Sequence, residues 1–208
     1  MTSGFIVAGT DTGIGKTVFS AALAGTLDYN YWKPIQAGVE DETDTQAAKR
    51  LSGLEADRFL EPAYVLKTAC SPHLAAEIDG ILIERDRLGL PETTRPIVIE
   101  TAGGLMVPIT RTDLQIEVMR DWGLPVILCA RTVLGTINHT LLSIEALQRR
   151  QLTLHGIVFI GDENTDNERT ICELSGVRRL GRLPWLTKRD ARSLRAAFLA
   201  EFRIEDFR

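Results

Sequence analysis

The stretch Gly9-Thr10-Asp11-Thr12-Gly13-Ile14-Gly15-Lys16-Thr17 decides how this chain is read. It follows a short apolar run, GFIVAG (Gly4–Gly9), and precedes KTVFSAALAGTL (Lys16–Leu27), whose apolar residues recur at helical spacing. A glycine-rich turn between strand and helix lets backbone N–H groups and a helix N-terminus cradle phosphate. In that setting Lys16 can reach the β and γ phosphates, and the Thr17 hydroxyl can bind Mg2+. The spelling departs from G-x-x-x-x-G-K-[ST]: Thr10 sits where the first glycine belongs, and Gly9 lies one place earlier. With strand, G-K-T and helix all in place, this reads as a variant phosphate loop rather than a chance turn. The residues expected to hold nucleotide run from Gly13, Ile14 and Gly15 through Lys16 and Thr17 to Val18.

Outward from the loop, strands and helices alternate. PIVIET (96–101), PVILCA (125–130) and GIVFIG (156–161) are apolar runs without polar alternation, as expected of strands buried on both faces. YNYWKPI (29–35) reads as a further strand. Helical patterns occupy 44–53, 71–80, 113–123, 137–150 and 190–202, the first closed by Gly53. This rhythm predicts an α/β fold, a parallel sheet with helices on both faces. No linker, repeat or low-complexity segment interrupts it, so residues 1–208 are expected to form one domain. Ligands in such sheets bind beyond the carboxyl ends of the strands.

Composition narrows the function. The 208 residues are 44% hydrophobic and 25% charged, with net charge −4 and no basic block, which argues against nucleic-acid or anionic-membrane partners. MTSGFIVAG lacks the basic region of a signal peptide, and no uncharged apolar run approaches the ~20 residues of a membrane span. Cys70, Cys129 and Cys172 are odd in number and lack metal-ligand spacing, which suits a reducing cytoplasm and small buried hydrophobes.

Three more residues sit at strand or helix ends. Lys33, beside Pro34, either places a second positive charge over the phosphates or is a solvated lysine. Asp44 opens a helix, where an N-cap is the simpler reading. Glu100 ends a buried strand opposite the phosphate loop, the expected position of a Mg2+-holding or water-holding carboxylate. The glycines of TAGG after it either admit a ligand to the backbone or make a turn.

Taken in order, GTDTGIGKT, KPIQAG, SPH, IETAGG, GTINHTLLSIEAL and GRLPWL resemble the dethiobiotin synthetase family, whose own loop is G-T-D-T-x-[VI]-G-K-T. The matches run from Gly4 to about Leu186. The resemblance implies a P-loop sheet of about seven mostly parallel strands and a homodimer. It also implies ATP-dependent carboxylation and ring closure of 7,8-diaminopelargonic acid (7,8-diaminononanoate) with CO2, giving dethiobiotin, ADP and phosphate. Carried over residue by residue, it assigns Mg2+ to Thr17, Asp44 and Glu100, which replaces the cap reading of Asp44. It assigns carbamate and phosphate contacts to Lys33, the diamine to Thr12, and catalysis to Lys16, Lys33 and Thr12. The substrate carboxylate falls to the backbone of Gly135, Thr136, Ile137 and Asn138 across the dimer.

Two positions depart from the family pattern. Ala37 lines the expected substrate site where Ser or Thr is common, so one hydroxyl is missing. The adenine-reading Asn after the strand is replaced by Ile160 or Gly161, with Asn164 later, which leaves adenine to the backbone around Leu183, Pro184, Trp185 and Leu186. His73 belongs to the S-P-H loop, as a substrate neighbour or a packing residue; His139 and His155 read as structural. Trp32 and Trp122 read as packing residues, and Trp185 as one near the base. Partition and septum-positioning ATPases are the competing class, but their signature lysine falls at Asp11 here. Cobyrinate amidating enzymes need an ammonia-supplying domain that 208 residues do not accommodate, and a pure nucleotide-binding module leaves Lys33 and Glu100 unexplained.

Overall fold

The computed structural model describes residues 2–208. Seven parallel strands form the main sheet in the order β4-β2-β6-β1-β7-β8-β9. Its centre is β1 (Gly4–Gly9), flanked by β6 (Ile97–Gly104) and β7 (Val126–Arg131), with β8 (Leu154–Ile160) and β9 (Arg179–Leu183) beyond. On the other side lie β2 (Asn30–Trp32) and the two-residue β4 (Phe59–Leu60). The chain leaves β1 towards β2 and later crosses to β7, so the strand order reverses at β1, and the crevice at its carboxyl end is where such sheets take ligands.

Alternation along each strand explains the layers. Ile6 and Ala8, Ile97 and Ile99, and Leu128 and Ala130 point into one core, with α3 (Pro72–Asp79), α4 (Gln115–Trp122), α5 (Thr136–Arg149) and α6 (Thr165–Ser175). Phe5 and Val7, Val98, and Ile127 and Cys129 point into the other, with α1 (Lys16–Leu27), α2 (Asp44–Ser52) and α7 (Ala191–Glu201). Helices therefore cover both faces, which is why the strands read as continuous apolar runs. At the foot of the second core Phe207 is fully buried against Phe198 and Phe202, and its carbonyl accepts from the Tyr29 hydroxyl at 2.6 Å. Burying that ring contributes about 1.5–3 kcal/mol.

YNYWKPI is not one strand. It divides at Lys33-Pro34 into β2 and β3 (Ile35–Ala37), and β3 pairs with β5 (Tyr64–Leu66) in a separate two-stranded sheet. Pro34 has no N–H for the main ladder, and its carbonyl accepts from Tyr64 N at 3.1 Å instead. The break leaves Lys33 between two sheets. Helix α6 and strands β4, β5 and β9 were not legible from the residue pattern.

Candidate active site

Residues 10–15 form the loop between β1 and α1. Gly15 begins the helix with φ 100°, where a side chain would be strained and its Cβ would come within 2.9 Å of Ile160. No side chain caps α1. By contrast Thr43, Asn164 and Asp190 cap α2, α6 and α7 with their own oxygens. An uncapped N-terminus keeps its N–H groups and partial positive charge available to an anion. Lys16 lies buried beneath the loop, its Nζ donating to the Asp11 carbonyl at 2.9 Å. Burial, and then the nearby Lys33 charge, lower its pKa.

Beside it is a cluster drawn from α1, α2, β6 and the junction between β2 and β3. Thr17 Oγ1 lies 2.8 Å from Asp44 Oδ1 and 2.7 Å from Glu100 Oε1. Lys33 Nζ lies 2.9 Å from Asp44 Oδ2, 3.1 Å from Glu100 Oε1 and 3.1 Å from the Thr101 carbonyl, to which it donates. Lys33 is only 4% exposed and Glu100 1%, so the solvated-lysine reading fails. Burial alone would lower the Lys33 pKa, but Glu100 and Asp44 outweigh it and hold it raised. Burial likewise pushes Asp44 up, and Lys33 and Thr17 outweigh that and hold it below the usual range. The N-cap reading of Asp44 fails too, because Thr43 and Gln46 form a reciprocal capping box. The Asp44 carboxylate is thereby free to face the cluster.

A cation other than Lys33 fits these oxygens. The Thr17 hydroxyl has one proton for two carboxylate neighbours, so it cannot satisfy both. One hydroxyl and two carboxylates, all hard oxygens, are a donor set suited to Mg2+, whose remaining positions are usually water and phosphate.

Two cavities flank the loop. A groove of about 420 Å3 is lined by Thr12, Lys33, Ile35, Ala37 and Asp44 and by Cys70, Ser71, Gly103 and Val107. A cleft of about 260 Å3 is lined by Gly15, Val18, Ile160 and the Leu183–Leu186 turn, including Trp185, which is 60% exposed. Asn164 takes no part in that lining: it caps α6 and donates to the Thr132 carbonyl at 3.3 Å. Gly135 starts α5 as Gly15 starts α1, with φ 92° and no side-chain cap. Gly135, Thr136, Ile137 and Asn138 do not line the groove within one chain.

The residue pattern missed Tyr31. Its hydroxyl donates to Glu100 Oε2 at 2.9 Å, and burial, then Glu100, raise its pKa well above the phenol value, keeping it a donor. The signal was present, since Tyr31 is two residues before Lys33 on an extended segment and so shares its side. Gln36 was also missed; its Oε1 accepts from Asp44 N at 3.1 Å and fixes the start of α2. His73 does not line the groove; its backbone N–H donates to the Pro108 carbonyl. His155 Nε2 lies 2.6 Å from the Asp206 carbonyl, a structural contact, whereas His139 is exposed on α5. Trp32 and Trp122 pack with ring centroids 6.0 Å apart. Cys129 is buried, Cys70 and Cys172 only partly so, and all three are free thiols.

A family model described as "AAA domain" matches residues 3–193. Solved structures share the fold: a ParA family ATPase from Chlorobium tepidum TLS aligns with TM-score 0.55 at 10% identity, over 96% of this chain and 92% of that one. A plasmid partition protein from Borrelia burgdorferi aligns with TM-score 0.54 at 14% identity, over 96% and 99%. Sequence likeness is far closer to the ATP-dependent dethiobiotin synthetases. The protein of that name from Rhodopseudomonas palustris (strain TIE-1) is 60% identical over 207 residues, covering 100% of this chain and 98% of the relative. Those from Nitrobacter hamburgensis and Bradyrhizobium diazoefficiens are 59% and 55% identical, each over 100% of this chain and 98% and 99% of the relative. Likeness at this level, end to end, places the chain in the ATP-dependent dethiobiotin synthetase family.

Proposed function

We propose that the chain, acting as one P-loop domain over residues 1–208, makes dethiobiotin in biotin biosynthesis. It closes the ureido ring of 7,8-diaminopelargonic acid with CO2 and ATP. The observation that carries this reading is Lys33: a buried lysine held between Asp44 and Glu100, forming one wall of a groove that reaches the phosphate loop at Thr12.

The chemistry accounts for the residue types. One amine adds to CO2 and loses a proton, giving a carbamate. A carbamate oxygen attacks the γ phosphorus of ATP, and ADP leaves. The second amine attacks the carbonyl carbon of the resulting carbamic–phosphoric anhydride, phosphate leaves, a proton is lost, and the ring closes. The first barrier is the approach of two anions. Lys16 neutralises the phosphate from the loop, and Lys33 lies where carbamate and phosphate meet, so negative charge that spreads over the phosphoryl oxygens faces fixed donors. Thr12 orients the diamine in the groove. Thr17, Asp44 and Glu100 would hold Mg2+, which when bound supplies further charge neutralisation at the phosphates. Adenine fits the cleft between Val18 and the Leu183–Leu186 turn, stacked against Trp185.

The homodimer belongs to the same proposal. Met106, Val133, Leu134 and Leu142 are large apolar side chains at least half exposed, gathered near the phosphate loop and the start of α5. Pairing would cover them and bring the uncapped α5 N-terminus of one chain to the substrate carboxylate in the groove of the other. A cytoplasmic enzyme suits three free thiols, and among the described residues no helix is long and apolar enough to cross a membrane. A partition-type switch is not favoured, since those proteins share only the fold.

The test is substrate-dependent turnover. Purified protein should release phosphate from ATP only when diamine and bicarbonate are both present, with one dethiobiotin formed per phosphate. Steady ATP hydrolysis without the diamine would refute the reading in favour of a switch ATPase.

A further inference from the structure

Two adjacent carbonyls of the phosphate loop are capped by cations, and only one of those cations belongs to the G-K-T motif. Lys16 Nζ donates to the Asp11 carbonyl at 2.9 Å. Arg131 Nη2 donates to the Thr12 carbonyl at 2.6 Å. Arg131 is the last residue of β7, which pairs directly with β1, so its side chain leaves the sheet at the end where the loop begins. Lys33 reaches the same region from beyond β6, on the opposite side of β1.

The charges differ in how they are spent. Lys33 is neutralised by Asp44 and Glu100. Arg131 forms no ion pair among the described residues, and the one hydrogen bond its guanidinium makes there is to a neutral carbonyl. A guanidinium has five N–H donors in a planar fork that matches two phosphate oxygens. A single carbonyl leaves most of that capacity and all of its charge unanswered. Space for an anion exists beside it: at Gly13, the next loop residue, an added Cβ would meet nothing within 4 Å except Arg131 Nη2, at 3.8 Å. The Thr12 N–H is held by Asp11 Oδ1 at 2.7 Å, so Thr12 is held at both its N–H and its carbonyl, and the guanidinium sits at the loop tip.

We propose that Arg131 is a phosphate-binding residue of the nucleotide site, a cation supplied by β7 that contacts the triphosphate from the side opposite Lys33. It rests on the ATP reading above and adds a ligand that the G-K-T motif does not contain. The alternative role is a clamp that only shapes the loop.

The two roles separate by the number of phosphates on the ligand. Equilibrium binding of ATP, ADP and adenosine is measured for the wild type, Arg131→Gln, Arg131→Lys and Lys16→Ala. A lost charge-assisted contact should weaken ATP about 10- to 100-fold in Arg131→Gln. ADP should weaken less and adenosine not at all, while the salt dependence of ATP binding becomes shallower. Arg131→Lys, which keeps the charge without the fork, should fall between wild type and Arg131→Gln. Unchanged ATP affinity in Arg131→Gln, or equal losses for ATP and adenosine, overturns the proposal in favour of the clamp. Should Arg131→Gln fail to fold, Arg131→Lys decides alone: a loss for ATP with adenosine unchanged supports the contact, and unchanged ATP affinity overturns it. Failure of the wild type to bind ATP, or full ATP binding by Lys16→Ala, would instead refute the nucleotide site itself.

Discussion

The groove beside Thr12 and the cleft beside Gly15 share one loop and differ in almost every physical respect. The groove is walled by Lys33 and Asp44, with Glu100 and Tyr31 buried behind them, and the charged atoms of Lys33, Asp44 and Glu100 are each held by a partner within about 3 Å. The cleft is lined mainly by Val18, Ile160, Leu183, Pro184, Trp185 and Leu186, with Trp185 open to solvent and Thr187 and Arg189 at one end of the lining segment. Fixed charges in a buried site act strongly on charge that develops in a reaction and cost no reorganisation when it does. The apolar side chains of the cleft do not sense that charge; they contribute area and stacking. The contrast teaches that the two ends should fail differently: the groove in the chemical step, the cleft in affinity.

Four variants probe that division. The largest effect is expected for Lys16→Ala, which should lower turnover about 100-fold or more, as loss of one preorganised donor does. The fold should survive, because the Lys16 Nζ holds only the Asp11 carbonyl, and thermal melting checks this. Near-normal turnover at saturating ATP would remove the phosphate cradle from the account.

Lys33→Gln should come next, slowing the chemical step roughly 100-fold while ATP affinity changes little. Single-turnover rates and ATP binding measured on the same variant separate the two. A rise in the ATP Michaelis constant alone would move Lys33 from the reacting groups to the nucleotide.

Asp44→Asn tests the groove more gently. Asn keeps the shape and would serve as well at a helix cap. Since Thr43 holds the cap, the change should act through the cluster, raising the Mg2+ concentration for half-maximal turnover about 10-fold, the scale of one charge-assisted contact. An unchanged magnesium titration would leave Asp44 with no role beyond pairing Lys33.

The smallest effect belongs to the cleft. Trp185→Ala should weaken ATP about 5- to 10-fold through lost stacking, with the single-turnover rate at saturating ATP unchanged. A slowed chemical step in this variant would break the proposed division, because it would couple the cleft to the groove.

Much of this was legible from residues alone, for reasons that are local. The apolar runs without alternation report burial on both faces, and that burial requires helices on both sides of the sheet. The phosphate loop is contiguous, so its strand, glycines, Lys16 and helix are all visible in one stretch. Glu100 was legible as a charge ending an apolar run, but the strand does not end there: β6 continues through Thr101-Ala102-Gly103-Gly104, because those residues still pair beside β1. The departures were equally local: Ala37 and Ile160 stand in the groove and the cleft without a polar side-chain atom to offer.

The contacts that required the folded chain are long-range. Thr17 and Glu100 are 83 residues apart, Tyr31 and Glu100 are 69 apart, and Arg131 and Thr12 are 119 apart. No periodicity carries such pairs, because they are set by strand order, and the sheet places β6 and β7 on either side of β1. Strand pairing also decided where YNYWKPI breaks: Pro34 forfeits the main ladder, β3 finds β5, and Lys33 is left at the junction. The same physics decided Asp44. A helix start selects Thr, Asp or Asn for a cap almost equally, so the residue pattern could not say which oxygen turns to the backbone. The packing of α2 beside α1 turns Asp44 towards Thr17 and Lys33, and leaves the cap to Thr43.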